Sequence, residues 1–445
     1  MSNKVEYLQE LLKSCFVPEL KRDLDSLPIQ SEYFTEYHQM LEQQLPHLYD
    51  FIQQNEVWIW ESQDQENLEL NASLLLLFCE ITAPAAPYAL ENDYLLQNAD
   101  KVLQRQMQKL SDKQDAQIFT YYKDKLRIDR WKRHLGAVHG IMRCLGLRFT
   151  SNNTRTSLSM SNEWLTFCLS VALNFGDCHE PIYKHFSTQI FHVMLCSAKR
   201  NDILELNIHS VIYASVFQKI LTTNTVPENA AIWNCMLLCM DFYDDIESLS
   251  WTMADDMMEA LLRNISLTTE TLVCICLLKF ATQLGFYCSA NRKEIEKMIN
   301  SNLNSSETLN NCRHVCSKNS SYTPFRWAKN IIQTFTSEAY KLMAGANTCR
   351  QLLLEIHRCY MVCILPIPLE LSQHILIPFW SKFIATLMET LVVQKQELDI
   401  ISLVKSILET FHHQLKYSGY CEKKPELLNY RNSIEKLLKE NIFCK

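Results

Sequence analysis

Apolar residues return every three or four positions along nearly the whole chain, a spacing that lines one side of an α-helix but scatters over both faces of a strand. In IHSVIYASVFQKIL, Ile208, Val211, Ile212, Val216 and Ile220 make one such stripe. The preceding segment opens on Pro181, where a first helical turn tolerates proline. It closes on Lys199 and Arg200, which suit the negative end of a helix, so Asn201 and Asp202 read as the turn. The same grammar runs through 227–241, 252–264, 268–286 and 291–300, and counting it gives roughly eighteen helices, one pair for every forty or so residues. Only 7 of the 445 residues are glycine, where average usage would supply roughly thirty. The tight turns of sheets and the phosphate-cradling loops of nucleotide enzymes are therefore scarce. The fold class is read as all-α, and the period as that of a HEAT or armadillo-like α-solenoid of antiparallel helical pairs. No repeated consensus accompanies the period, so a two-domain helical bundle is the alternative.

Four regions follow from composition. Residues 1–120 form an N-terminal helical region and 121–300 a central set of HEAT-like repeats. Residues 301–324 are a polar loop with the composition of a disordered segment. Residues 325–445 are C-terminal repeats closed by a cap helix from Pro425. In that last helix Leu427, Tyr430, Ile434, Leu437 and Leu438 share one side, and Glu435 and Lys439 pair on the other.

The formal net charge is −7, which disfavours non-specific binding to nucleic acid. The start, MSNKVEYLQELLK, alternates charged and apolar residues and lacks the basic opening and uninterrupted apolar stretch of a signal peptide, so a cytoplasmic protein, or one shared with the nucleus, is expected. The two most apolar runs fall short as membrane spans: Leu272 to Cys288 is interrupted by Lys279 and Gln283, and the run from Leu74 stops at Glu80. In a reducing compartment the 18 cysteines are expected to be free thiols packed as small hydrophobes.

The sharpest pointer to catalysis is Asp255-Asp256-Met-Met-Glu259, a DDxxE pattern like the magnesium-binding carboxylates of all-α prenyl-transferring and terpene-forming enzymes. Such enzymes need a second carboxylate motif opposite, and none fits here. A solvated acidic face with Glu259 paired to Arg263 is the simpler reading. Cys312, His314 and Cys316 lie close together, but a structural zinc site wants four ligands. Cys235/Cys239 and Cys359/Cys363 are each one helical turn apart among apolar neighbours and read as core. His139, His192 and His357 sit in apolar helices as satisfied buried or boundary imidazoles. The motifs HExxH, GxSxG, GxxxxGK and GxGxxG are absent. Neither an enzyme activity nor a cofactor nor a metal is expected.

One basic patch stands out, YYKDKLRIDRWKRHL, in which Arg127, Arg130, Lys132 and Arg133 surround Trp131. Arginine and tryptophan are enriched where partner proteins bind, which makes these five residues the candidate partner surface. A solvated helix start with Trp131 in the core is the competing reading.

Trp131-Lys132 followed by Gly136-Ala137 and an apolar helix also carries a resemblance. With Val211-Ile212-Tyr213 and Phe217, Leu249 and Trp251 after the acidic stretch 241–247, and Asn429-Tyr430, the order and spacing resemble the Tel-two-interacting protein two family, the smallest subunit of the Triple T cochaperone complex. The likeness covers roughly residues 131–300 and 350–440. It implies a HEAT-like, non-catalytic scaffold that binds the Tti-one and Tel-two subunits. With the ninety-kilodalton heat-shock chaperone and the RuvB-like ATPases, it would support the maturation and stability of phosphatidylinositol-3-kinase-related kinases such as mTOR, ATM, ATR and SMG-one. A generic HEAT adaptor, for example in transport, and a magnesium-dependent helical enzyme are the rival functions.

Overall fold

A computed structural model describes residues 2–21, 31–61, 64–84, 86–90, 93–107, 109–149, 159–220, 223, 225–243, 252–289, 322–336, 349–364, 385, 398–417 and 425–439. Among them are eighteen α-helices and no strand, so the chain is all-α. A single bridge joins Met160 to Ala198. The chain divides into two compact units, 1–216 and 217–445, a border that none of the four compositional regions marks. Cys312, His314, Cys316 and the segment 291–300 lie outside the described residues.

The first unit comprises α1 (Ser2–Cys15), α2 (Thr35–Gln54), α3 (Glu56–Glu61), α4 (Gln65–Ile81), α5 (Asp93–Met107), α6 (Asp112–Lys125), α7 (Leu135–Phe149), α8 (Asn162–Gly176), α9 (Pro181–Ser197) and α10 (Arg200–Glu205), with most of α11 (Ile208–Phe217). Helix α8 folds back on α9 across the short turn 177–180, and α1 packs on α2 and α4. Helix α4 is the centre of this unit: Leu74, Leu77 and Phe78 are fully buried, and α6 and α7 both lie against it. The apolar run from Leu74 stops at Glu80, but neither the helix nor its burial does. The helix continues to Ile81, and Glu80 is itself buried, 1% exposed.

Local signals set the helix ends. Ser111 caps α6 reciprocally with Gln114, the Ser161 hydroxyl accepts from the Trp164 amide at the start of α8, and Pro181 opens α9. The far end of α9 differs from the expectation. It stops at Ser197, Ala198 is extended, and Lys199 and Arg200 begin α10. The cause is tertiary: the Met160 amide donates to the Ser197 carbonyl at 2.9 Å, drawing the chain out of the helix before its basic residues are reached. In α11, Ile208, Ile212 and Val216 are buried as the stripe requires, but Val211 is exposed.

The second unit holds α12 (Val226–Met240), α13 (Met253–Leu267), α14 (Thr271–Ser289), α15 (Tyr322–Phe335), α16 (Cys349–Cys363), α17 (Leu398–Tyr417) and α18 (Pro425–Leu438). Helix α15 begins at Tyr322, inside the stretch read as polar loop. Helix α14 is the core element, packed on α12, α13 and α16. On length and composition its window Thr271–Cys288 does suffice to cross a bilayer, contrary to the expectation from its sequence, because one lysine neither breaks nor shortens a helix. That window is 72% buried within the protein, and Lys279 lies on its exposed side. In α18, Leu427 and Ile434 are buried and Lys439 meets Glu435 at 2.8 Å. Thirteen of the described cysteines carry thiols outside any disulfide, and among these only Cys196 is exposed.

Candidate partner surface

The basic segment is a turn between two helices. Helix α6 ends at Lys125, a single 3-10 turn spans Trp131–Arg133, and α7 starts at Leu135. Trp131 does not face a partner: it is 2% exposed, with its ring 4.9 Å from Phe175 and 5.5 Å from Tyr183. The indole is the most apolar side chain of the turn, and burial against two aromatic rings stabilises it more than solvent can. Arg127, exposed, lies 3.4 Å from Asp129, and the half-exposed Arg130 donates to Asp124 at 3.0 Å. Lys132 sits beside the Trp131 ring, and the Arg133 carbonyl receives the Leu20 amide at 2.9 Å. The structure thus keeps the basic side chains of the five on the surface and withdraws the aromatic one.

The residues that follow are fixed by Glu80. One carboxylate oxygen accepts from the Tyr121 hydroxyl at 2.6 Å and the other from the Val17 amide at 3.3 Å, while the Glu80 carbonyl accepts from Tyr88 at 3.2 Å. The carboxylate can lie so close to α7 because Gly136 has no side chain. A Cβ there would stand 2.6 Å from Glu80 Cδ and 2.8 Å from Val17 Cβ. Burial pushes the Glu80 carboxyl up to about 7, against the opposing pull of Tyr121, Val17 and Lys125. His139, three residues after Gly136, is buried among Tyr88, Tyr183 and Phe186, and neither ring nitrogen has a hydrogen-bond partner. Burial lowers it to about 4, so it is a neutral, unsatisfied imidazole and not the satisfied one expected. His357 does meet the expectation, with Nδ1 2.6 Å from the Leu353 carbonyl.

The acidic motif is a solvated face only in part. Asp255 is fully buried. Its Oδ1 accepts from Arg326 Nε at 3.0 Å and Trp327 Nε1 at 2.7 Å, and its Oδ2 from Arg326 Nη2 and the Thr252 amide, both at 2.7 Å, and from the Thr252 hydroxyl at 3.1 Å. Asp256 and Glu259 are exposed, and no Glu259–Arg263 ion pair forms. The reading failed because the partner of Asp255 stands 71 residues away, on α15. Five donors leave Asp255 little capacity to hold magnesium. Among the described residues no three His, Cys, Asp or Glu side chains stand together as a metal site.

Beside the basic turn lies a feature not anticipated from the sequence, a groove of about 940 Å³ between α6 and α8. Its floor is an aromatic cluster, Phe119 with Trp164 at 5.1 Å and Phe167 at 5.4 Å. At one end stands Ile128, 75% exposed. A large apolar residue inside the charged turn LRIDR was the only sequence signal of it. No protein-family model matches the chain, and neither does any curated protein or solved structure.

Proposed function

We propose that this chain is a non-catalytic helical scaffold of the HEAT-like kind, the Tti-two-type subunit of a Triple T cochaperone complex. In this reading it binds Tti-one and Tel-two type partners in the cytoplasm or nucleus. With heat-shock chaperone and RuvB-like ATPase machinery, it supports the stability of phosphatidylinositol-3-kinase-related kinases. The observation that carries it is the motif Trp131-Lys132 with Gly136-Ala137. Trp131 fills an aromatic joint, Gly136 receives Glu80, and Ala137 is buried. Residues confined in this way explain how a spacing could persist in a family without any chemistry attached to it. Some helices pack on their neighbours in sequence, such as α8 on α9 and α17 on α18, as in a solenoid, while α4 on α7 and α14 on α16 reach past theirs.

A partner that binds only the folded chain stabilises it by an amount that grows with partner concentration, so subunits become mutually dependent for abundance. Affinity purification followed by mass spectrometry is expected to recover a much larger helical partner. Depleting the chain is expected to lower the levels of its partner subunits and then of the kinases, with their messenger RNA unchanged. Normal partner and kinase levels in depleted cells refute the proposal, and a transport factor recovered instead would establish the generic adaptor.

A further inference from the structure

The groove between α6 and α8 has a direction. Arg148, at the end of α7, forms an ion pair with Asp115 near the start of α6 and lies 5.5 Å over the ring of Trp164 near the start of α8. The N-terminal ends of α6 and α8 therefore meet at one end of the groove, and one turn further along each helix Phe119 meets Phe167 at 5.4 Å, so the two run the same way. At that end Asp112 and Glu163 are exposed; at the other, Lys123 and Arg127 are exposed beside Ile128, with Asp129 lining the same end 3.4 Å from Arg127. Between the two lies the half-buried aromatic floor. Helix α6 has 14 residues, a length of about 21 Å at about 1.5 Å per residue, so the groove matches three to four turns of another helix.

From this charge pattern we infer that the groove is a docking site for an amphipathic helix of a partner protein, lying antiparallel to α6 and α8, with an apolar stripe, acidic residues in its first turn and lysine or arginine in its last. Antiparallel placement sets the negative end of the incoming helix against the two positive helix starts, and its basic last turn against Asp112 and Glu163. Its acidic first turn then faces Lys123, with Arg127 shared between it and Asp129, and the apolar stripe covers Phe119, Phe167 and Ile128. A helix laid the other way would oppose like dipoles at both ends. The inference rests on the scaffold reading and names one surface that such a scaffold would use.

The test uses the full chain and a fluorescein-labelled eighteen-residue helical peptide with leucines at helical spacing, glutamates in the first turn and lysines in the last. Fluorescence anisotropy is expected to show saturable binding that Ile128→Asp weakens about tenfold or more, the loss of an apolar anchor. Ile128→Ser, which removes the apolar anchor without adding charge, is expected to weaken binding as well, so the loss is not mere repulsion between a new aspartate and the peptide's glutamates. Glu163→Lys is expected to weaken this peptide and to favour a peptide carrying glutamates in the last turn. Absence of saturable binding, or equal binding of the Ile128→Asp chain or of a peptide with its charges reversed end for end, overturns the inference. If the large partner still copurifies with the Ile128→Asp chain, the scaffold reading stands and that partner uses another surface.

Discussion

The guanidinium of Arg326 meets the carboxylate of Asp255 side on, Nε to Oδ1 at 3.0 Å and Nη2 to Oδ2 at 2.7 Å. Two parallel charge-assisted hydrogen bonds tie α15 to the first turn of α13, and Trp327 adds a third from the next residue. A DDxxE pattern that reads as catalytic, or as mere solvated charge, is therefore a structural clasp.

Asp255→Asn keeps the shape of the side chain but leaves Arg326 facing a neutral amide in a largely buried site. A loss of about 3 kcal/mol is expected, the usual cost of breaking a buried ion pair from one side. Asp256→Asn, at an exposed position, is expected to change stability by less than about 0.5 kcal/mol. Urea unfolding of the two single variants checks this, and equal small effects would contradict the clasp.

Gly136→Ala forces a methyl group into the space that Glu80 and Val17 occupy. Such overpacking typically costs about 1–3 kcal/mol. The double variant Gly136→Ala with Glu80→Ala is expected to recover part of that loss, because the carboxylate is the nearer obstacle. Thermal melts of the single and double variants measure the coupling.

Glu80 and His139 give opposite pH dependences. With its folded pKa at about 7, above the ordinary 4.5, Glu80 holds its proton longer in the folded state. Its contribution is fully present below the unfolded value and is lost as pH rises toward 7. His139, at about 4 against an ordinary 6.5, is neutral in the fold and protonated on unfolding, so its contribution is present above pH 6.5 and is lost as pH falls toward 4. The two slopes largely cancel between pH 4.5 and 6.5. Glu80→Gln is expected to uncover a steep loss of stability on acidification, up to about 1.4 kcal/mol per pH unit. His139→Leu is expected to uncover the converse, stability falling from pH 5 to 7. Denaturant titrations at several pH values distinguish them.

Trp131 and its basic neighbours are expected to separate cleanly. Trp131→Ala removes a buried indole packed on two rings and is expected to cost about 3–5 kcal/mol of stability. Arg127→Ala, whose ion pair is solvent-exposed on both sides, is expected to change stability by less than about 1 kcal/mol. Stability curves of both variants, read beside partner recovery, show whether any loss of binding at Trp131 is only a loss of fold.

Much of the architecture was legible in the chain itself. Few glycines and a persistent three- and four-residue apolar spacing leave helices as the way to bury so much surface. Pro181 marks the start of α9 through its own fixed backbone angle, so local sequence suffices to place it. What only the tertiary structure decided were matters settled between distant residues. Asp255 is buried because Arg326 and Trp327 reach it from another helix, and Glu80 is tolerated inside a core because Gly136 and Tyr121 make room and supply a donor. Helix α9 ends early because Met160 captures Ser197. Trp131 turned inward where Phe175 and Tyr183 awaited it, and Ile128 was left outside, because burial is a property of the surrounding helices and not of the residue alone.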